Sequence, residues 1–277
     1  MKIRSWLWAA RLFIVTLFLT CTLGAQTMAP PAAGTATAPT TAPATATARG
    51  RGARTPPGPQ STTQPALQDA RRHADFLARA KQGNIDLLFT GDSITDFFYY
   101  GRPGFPLMNG RTVWDKYFGS LNAADFAVSG ARTENVIYQF QNGELEGFKA
   151  KCIVMMIGTN NISARNTPEE TVAGIKAIIA EIQKRQPEAK LLLLGIFPRG
   201  KTAADPWRPG IKQVNAAISQ LDDGQHIFYM DIGDKFLEPD GSIAAETMSD
   251  ALHPAEKGYT IWAEAILPKV KQLMGVK

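Results

Sequence analysis

The sequence predicts an α/β domain of three layers, with helices on both faces of a mostly parallel five-stranded sheet. Two observations carry this. Five short apolar runs, several nearly continuous, have the composition of strands covered on both faces. Segments with helical spacing alternate with them, an order that favours right-handed crossovers between parallel neighbours. A third observation sets the limits: the first sixty of the 277 residues cannot belong to a packed domain, which leaves roughly the last 210 as the folding unit.

Residues 1–25 begin with Lys2, Arg4 and Arg11, pass through the apolar run "LFIVTLFL" and end in "TLGAQ". This is the pattern of a secretory signal with cleavage near Ala25, so the chain is expected to be exported, to periplasm or medium. The alternative is an uncleaved N-terminal anchor starting at Trp6, a segment that Arg11 interrupts; only then is a membrane a partner. Thr20 is a poor residue before a lipid-bearing cysteine at Cys21. Residues 26–66 are dominated by Ala, Pro, Thr, Gly and Arg and read as a disordered linker. The folded domain is then 67–277.

The net charge of +5 does not describe that domain. Residues 1–60 hold six Lys or Arg and no Asp or Glu, which leaves the rest close to neutral and argues against a nucleic-acid partner. With the signal removed only Cys152 remains, so no internal disulfide is expected.

The elements follow in order. Apolar residues at helical spacing from Gln68 to Gln82 predict an opening amphipathic helix. Strands are predicted at 85–90, 124–128, 152–158, 190–197 and 226–232. Helices are predicted at 133–142, at 168–185 with Thr167 as N-cap, at 210–221 and at 255–274. In such a sheet functional groups gather at the carboxyl ends of the strands.

Those ends deliver "GDS" (Gly91 to Ser93), "SGA" (Ser129 to Ala131), "GTNN" (Gly158 to Asn161) and, after the fifth strand, "DALH" (Asp250 to His253). Ser93 stands at a strand-to-helix turn, where it reads either as a helix cap or as a nucleophile. Of the three histidines, His73 precedes the sheet and His226 opens the fifth strand at its amino end, so only His253 lies on the correct side to act as base. Asp250, three residues earlier, is placed to orient it, as on one face of a single helical turn. The alternative is that Asp250 caps the turn and His253 is ordinary surface chemistry. The N–H of Ser93, the N–H of Gly130 and the side-chain amide of Asn160 are candidate donors for a tetrahedral oxyanion. Taken singly, Gly130 and Asn160 also read as turn residues. Among the aromatics, part of the run Phe97, Phe98, Tyr99 and Tyr100 must enter the core. Trp207, in the polar loop "TAADPWRPG", is a candidate substrate contact.

Together the four segments resemble the SGNH hydrolases, or GDSL esterase/lipase family, from Ile85 to the C-terminus. Its four marker residues match Ser93, Gly130, Asn160 and His253 in order. The segments "GARTENVIYQFQNGELEG", "IVMMIGTNN" and "GIFPRG" look most like the branch containing platelet-activating factor acetylhydrolase catalytic subunits and carbohydrate O-acetylesterases. The resemblance implies a serine esterase with Ser93, Asp250 and His253 as triad, with Ser93, Gly130 and Asn160 lining the oxyanion hole, and with a flavodoxin-like sheet. One block departs from the commoner form, reading "GTNN" where "GTND" is usual.

No metal or cofactor is expected: the mature chain has one cysteine and no close histidine pair, and neither "GxxxxGK" nor "GxGxxG" follows a strand. The expected partner is a small-molecule or polysaccharide ester, with a short acyl group, acetyl first. A lysophospholipase-type lipid esterase is the rival enzyme. A surface binding module on a degenerate hydrolase fold is the alternative from another class.

Overall fold

A computed structural model describes residues 61–276; the expected signal and most of the expected linker, residues 1–60, lie outside the described residues. Five parallel strands, β1 (Leu87–Gly91), β2 (Ala123–Asp125), β3 (Cys152–Met156), β4 (Lys190–Leu194) and β5 (Ile227–Met230), form one sheet in the order β2-β1-β3-β4-β5. The sheet is wholly parallel, as its apolar runs require.

Alternate strand residues serve opposite layers. Leu88, Ile153, Leu191 and Leu193 pack with α1 (Ala70–Lys81), α4 (Thr133–Gln141), α6 (Pro168–Arg185) and α7 (Arg208–Ile218). Leu87, Phe89, Val154, Leu192 and Leu194 pack with α2 (Ser93–Tyr99), α3 (Arg111–Tyr117) and α8 (Glu256–Met274). Phe98 goes into this second layer, stacked on Tyr259 and edge-on to Trp114, which accounts for one of the four consecutive aromatics.

Helix α6 spans the predicted residues, and its cap is the predicted one. The Thr167 side chain accepts from the Glu170 N–H while Glu170 reaches back to the Thr167 N–H, a reciprocal box. Strand β2 is shorter than its apolar run, although beyond Asp125 the Phe126 and Val128 N–H groups still donate to the Phe89 and Gly91 carbonyls of β1. Two α-helices were not expected from the sequence: α3, and the short α5 (Thr159–Ser163) directly after β3.

The linker boundary needs correction. Residues 61–66, assigned to the linker, are fastened to the domain. The Thr62 hydroxyl donates to the Glu170 carbonyl, the Thr133 hydroxyl donates to the Thr62 carbonyl, and the Ala66 N–H donates to the Glu134 carbonyl. Composition did not reveal this, because the anchoring uses backbone and hydroxyl groups rather than apolar side chains.

Cys152 is buried in β3, and burial pushes its thiol up to about 12, which keeps it neutral and inert. Glu144 is buried as well, with its carboxyl 2.6 Å from His73 Nδ1. Burial raises that carboxyl to about 9 against the pull of Arg72, and burial also lowers His73, so the pair is a neutral acid donating to a neutral imidazole. In the unfolded chain the carboxyl ionises near 4.5. Its contribution is therefore complete below that value and is lost as the pH rises through about 9. Thermal melts from about pH 5 to about pH 9 should show a steeper loss of stability for the wild type than for Glu144→Gln, whose amide donates without titrating. Equal slopes would contradict the neutral pair.

Candidate active site

Strand β1 lies between β2 and β3, where the chain reverses its direction of progress across the sheet. The loops after these three strands are therefore neighbours at a switch point. Gly91 makes this turn possible. A Cβ there would lie 2.3 Å from the Met156 carbonyl oxygen on the adjacent strand, so no side chain fits.

The next two residues separate the tasks that the sequence leaves to one serine. Asp92, not Ser93, caps α2: its carboxylate accepts from the Ile94 N–H at 3.0 Å. Burial raises the Asp92 carboxyl to about 6, opposed by that hydrogen bond and by the nearby positive groups. Ser93 is thereby released from capping. Its hydroxyl lies 2.9 Å from His253 Nε2, and both residues are buried.

His253 is in turn held by Asp250. The carboxylate oxygen Oδ2 is 2.7 Å from the ring Nδ1, while Oδ1 accepts from the backbone N–H of His253 at 2.7 Å and of Leu252 at 3.1 Å. Burial acts to raise Asp250, but the hydrogen bonds from the ring and backbone of His253 outweigh it and hold the carboxyl at about 2. An ionised carboxylate only accepts, so the Nδ1 proton belongs to the imidazole and Nε2 presents its lone pair to the serine hydroxyl.

The turn carrying these two residues differs from the helical one that the three-residue spacing suggested. Ala251 has φ 58°, in the left-handed region, and the loop closes through a bridge between Met248 and Pro254. Asp250 therefore meets His253 through a tight turn around its own carboxylate. A non-glycine residue at this φ costs about 1–2 kcal/mol, which the two backbone bonds and the ring bond offset.

Gly130 and Asn160 occupy the flanking loops. Gly130 follows β2 with φ 80°, and Asn160 is the second residue of α5. The two loops are tied together, since Asn160 Nδ2 donates to the Ala131 carbonyl at 2.9 Å. The amide has a second N–H, on the same nitrogen, for another acceptor.

The departure in the third block has a local reason. Asn161 is fully buried, accepts from the Thr133 N–H and donates to the Glu134 carboxylate at 3.2 Å. An aspartate there would set one carboxylate against another.

Trp207 is not joined to these groups. It stands just before α7, its ring partly buried against the first hydrophobic layer, with the Arg199 guanidinium 5.8 Å from its centroid. Arg199 then bonds Ser163 and Thr159 of α5, which makes the link from Trp207 to the site an indirect one.

Three more neighbours surround the triad; Phe97 belongs to the aromatic run that follows Ser93 in sequence, while Arg102 and Arg72 had no sequence signal. Phe97 lies against the His253 ring, centroids 5.0 Å apart. Arg102 sits 4.0 Å from Asp250 Oδ2. Arg72 of α1 bonds Asp96 and the Ala127 carbonyl. All three help to line a cleft of about 440 Å³, together with Asp69, Asp96, Tyr100 and Ser129, which borders His253 and Asp250 through Phe97 and Arg102.

The profile of the GDSL-like Lipase/Acylhydrolase family matches residues 89–261. The chain is 34% identical over 204 residues to platelet-activating factor acetylhydrolase IB subunit alpha2 of Homo sapiens, covering 73% of this chain and 83% of that one. Among solved structures, it is similar to an acetylxylan esterase from Geobacillus stearothermophilus (TM-score 0.51, 19% identity, 68% of this chain and 94% of that one). It is also similar to a carbohydrate acetylesterase from Sinorhizobium meliloti (TM-score 0.50, 18% identity, 68% and 99%). At these identities the structural likenesses establish the shared fold.

Proposed function

The chain belongs to the GDSL-like lipase/acylhydrolase family and is a carboxylic ester hydrolase, and from that premise we propose that it is an exported acetylesterase acting on acetylated carbohydrate through Ser93, His253 and Asp250. The observation that carries the catalytic part is the continuous hydrogen-bonded path from Ser93 Oγ through the imidazole to Asp250.

In this reading His253 Nε2 takes the hydroxyl proton as Ser93 Oγ attacks the ester carbonyl. Asp250 keeps the imidazole in the required tautomer and stabilises its charged form. The oxyanion is met by the N–H groups of Ser93 and Gly130 and by the Asn160 amide, each donor worth about 2.7–4 kcal/mol in the transition state. The protonated imidazole then gives its proton to the departing alcohol. Water attacks the resulting acyl-serine with His253 again as base.

Support for a carbohydrate alcohol comes from the cleft, whose charged and hydroxyl-bearing lining of Asp69, Arg72, Asp96, Tyr100, Arg102 and Ser129 suits a hydroxyl-rich ligand. Two structural neighbours are described as esterases of acetylated carbohydrate. Support for export is the leader pattern of residues 1–25.

A lipid ester is the second reading, favoured by exposed Phe105 and Leu107 on the same segment as Arg102. Rates on p-nitrophenyl esters should be greatest for acetyl and fall with chain length, and acetate should be released from acetylated xylan or another acetylated glycan. A maximum at about eight carbons or more would reject the acetylesterase reading in favour of the lipid one.

A further inference from the structure

The turn that carries Gly130 is held from outside by the segment where the N-terminal linker meets the domain. The Ala131 N–H donates to the Val128 carbonyl at 2.9 Å, closing a four-residue β-turn with Ser129 and Gly130 at its centre. Gly130 has φ 80°, while Ser129 is not among the residues with positive φ. That combination defines a type II turn, which differs from type I chiefly by a flip of the central peptide. Here the central peptide joins the Ser129 C=O to the Gly130 N–H. Whichever way that carbonyl points, the N–H assigned to the oxyanion points the opposite way.

Glycine lowers the cost of either orientation, so the turn by itself selects one weakly. The selecting contact comes from Gln68, two residues before α1. Its side-chain amide donates to the Ser129 carbonyl at 2.8 Å. The neighbouring peptides are braced as well: the Ser129 N–H donates to Asp96 Oδ2 at 3.1 Å, and Arg72, which pairs with Asp96, donates to the Ala127 carbonyl at 3.0 Å. Just upstream, Ala66 is bonded to Glu134 and Asn135 of α4, which fixes where Gln68 begins.

We propose that Gln68 is a positioning residue for ester hydrolysis: by holding the Ser129 carbonyl it sets the direction of the Gly130 N–H at the oxyanion. This rests on the esterase reading above, and it assigns residues 61–68 a task that neither the linker nor the triad explains. Gln68 is exposed, so its role is one of orientation rather than of core stability.

The test uses the full chain with p-nitrophenyl acetate. Gln68→Glu is isosteric but sets a carboxylate against the Ser129 carbonyl, and should lower kcat about tenfold or more with KM within about twofold and the melting temperature unchanged. Gln68→Lys keeps a donor at that place and should stay within a few-fold of wild type. In a Gly130→Ala background, where the turn already loses its preferred geometry, Gln68→Glu should add little further loss. Wild-type kcat in Gln68→Glu would overturn the proposal, as would an equal loss in Gln68→Lys or full additivity with Gly130→Ala. Failure of the underlying reading looks different: Ser93→Ala would then hydrolyse the ester as fast as wild type.

Discussion

Ser93→Ala is expected to lower kcat by about a million-fold, with substrate still bound. The size follows from the arrangement of the triad. The hydroxyl is the one group placed 2.9 Å from His253 Nε2 in the path that ends on Asp250. Removing it leaves a base with nothing to deprotonate and a carboxylate with only the base to orient. What survives is hydrolysis helped by oxyanion donors and binding, which is why members of such a set are not additive. Asp92 caps α2, so the substitution does not remove the helix cap and the variant should fold. The check is kcat on acetyl esters beside a thermal melt. An unchanged melt with lost turnover is the expected pair, and retained turnover would remove Ser93 from the reaction.

Asp250→Asn is expected to cost about ten-thousand-fold in kcat. The carboxylate is held at about 2, after hydrogen bonds from His253 overcome its burial, so at neutral pH it accepts from the imidazole and from two backbone N–H groups. An asparagine can keep Oδ1 on the backbone but then presents an N–H to Nδ1. The ring answers by moving its proton to Nε2, the nitrogen that must receive the serine proton. Steady-state kinetics should show kcat and kcat/KM falling together. A loss confined to KM would mean that Asp250 serves binding rather than the tautomer.

Much of the architecture was legible because it depends on strong local patterns. Strands buried on both faces appear as continuous apolar runs, and α6 announces both its ends through Thr167, Pro168 and the basic Lys184 and Arg185. The site was legible where chemistry restricts residue type: with three histidines in the chain, topology singles out His253 as the one at the carboxyl ends of the strands. Other features depend on contacts distant in sequence. Helix α3 follows the Gly- and Pro-rich stretch 101–110 and is fixed by Val113 and Trp114 entering the second layer. Helix α5 is short, and its motif reads as turn residues. The boundary near residue 66 was misplaced because hydroxyls and backbone groups, rather than apolar side chains, anchor Thr62 and Ala66. The spacing of Asp250 and His253 indicated that they meet but not how, since a left-handed alanine is not foreseen from "DALH".

The central claim is that Ser93 carries the acyl group during turnover. Mass spectrometry of the full chain, quenched during hydrolysis of an acetyl ester and digested, tests it most directly. One acetyl group is expected on the peptide containing Ser93, and none on the same peptide of the Ser93→Ala variant. Turnover with an unmodified chain, or acetyl on a different residue, would contradict it.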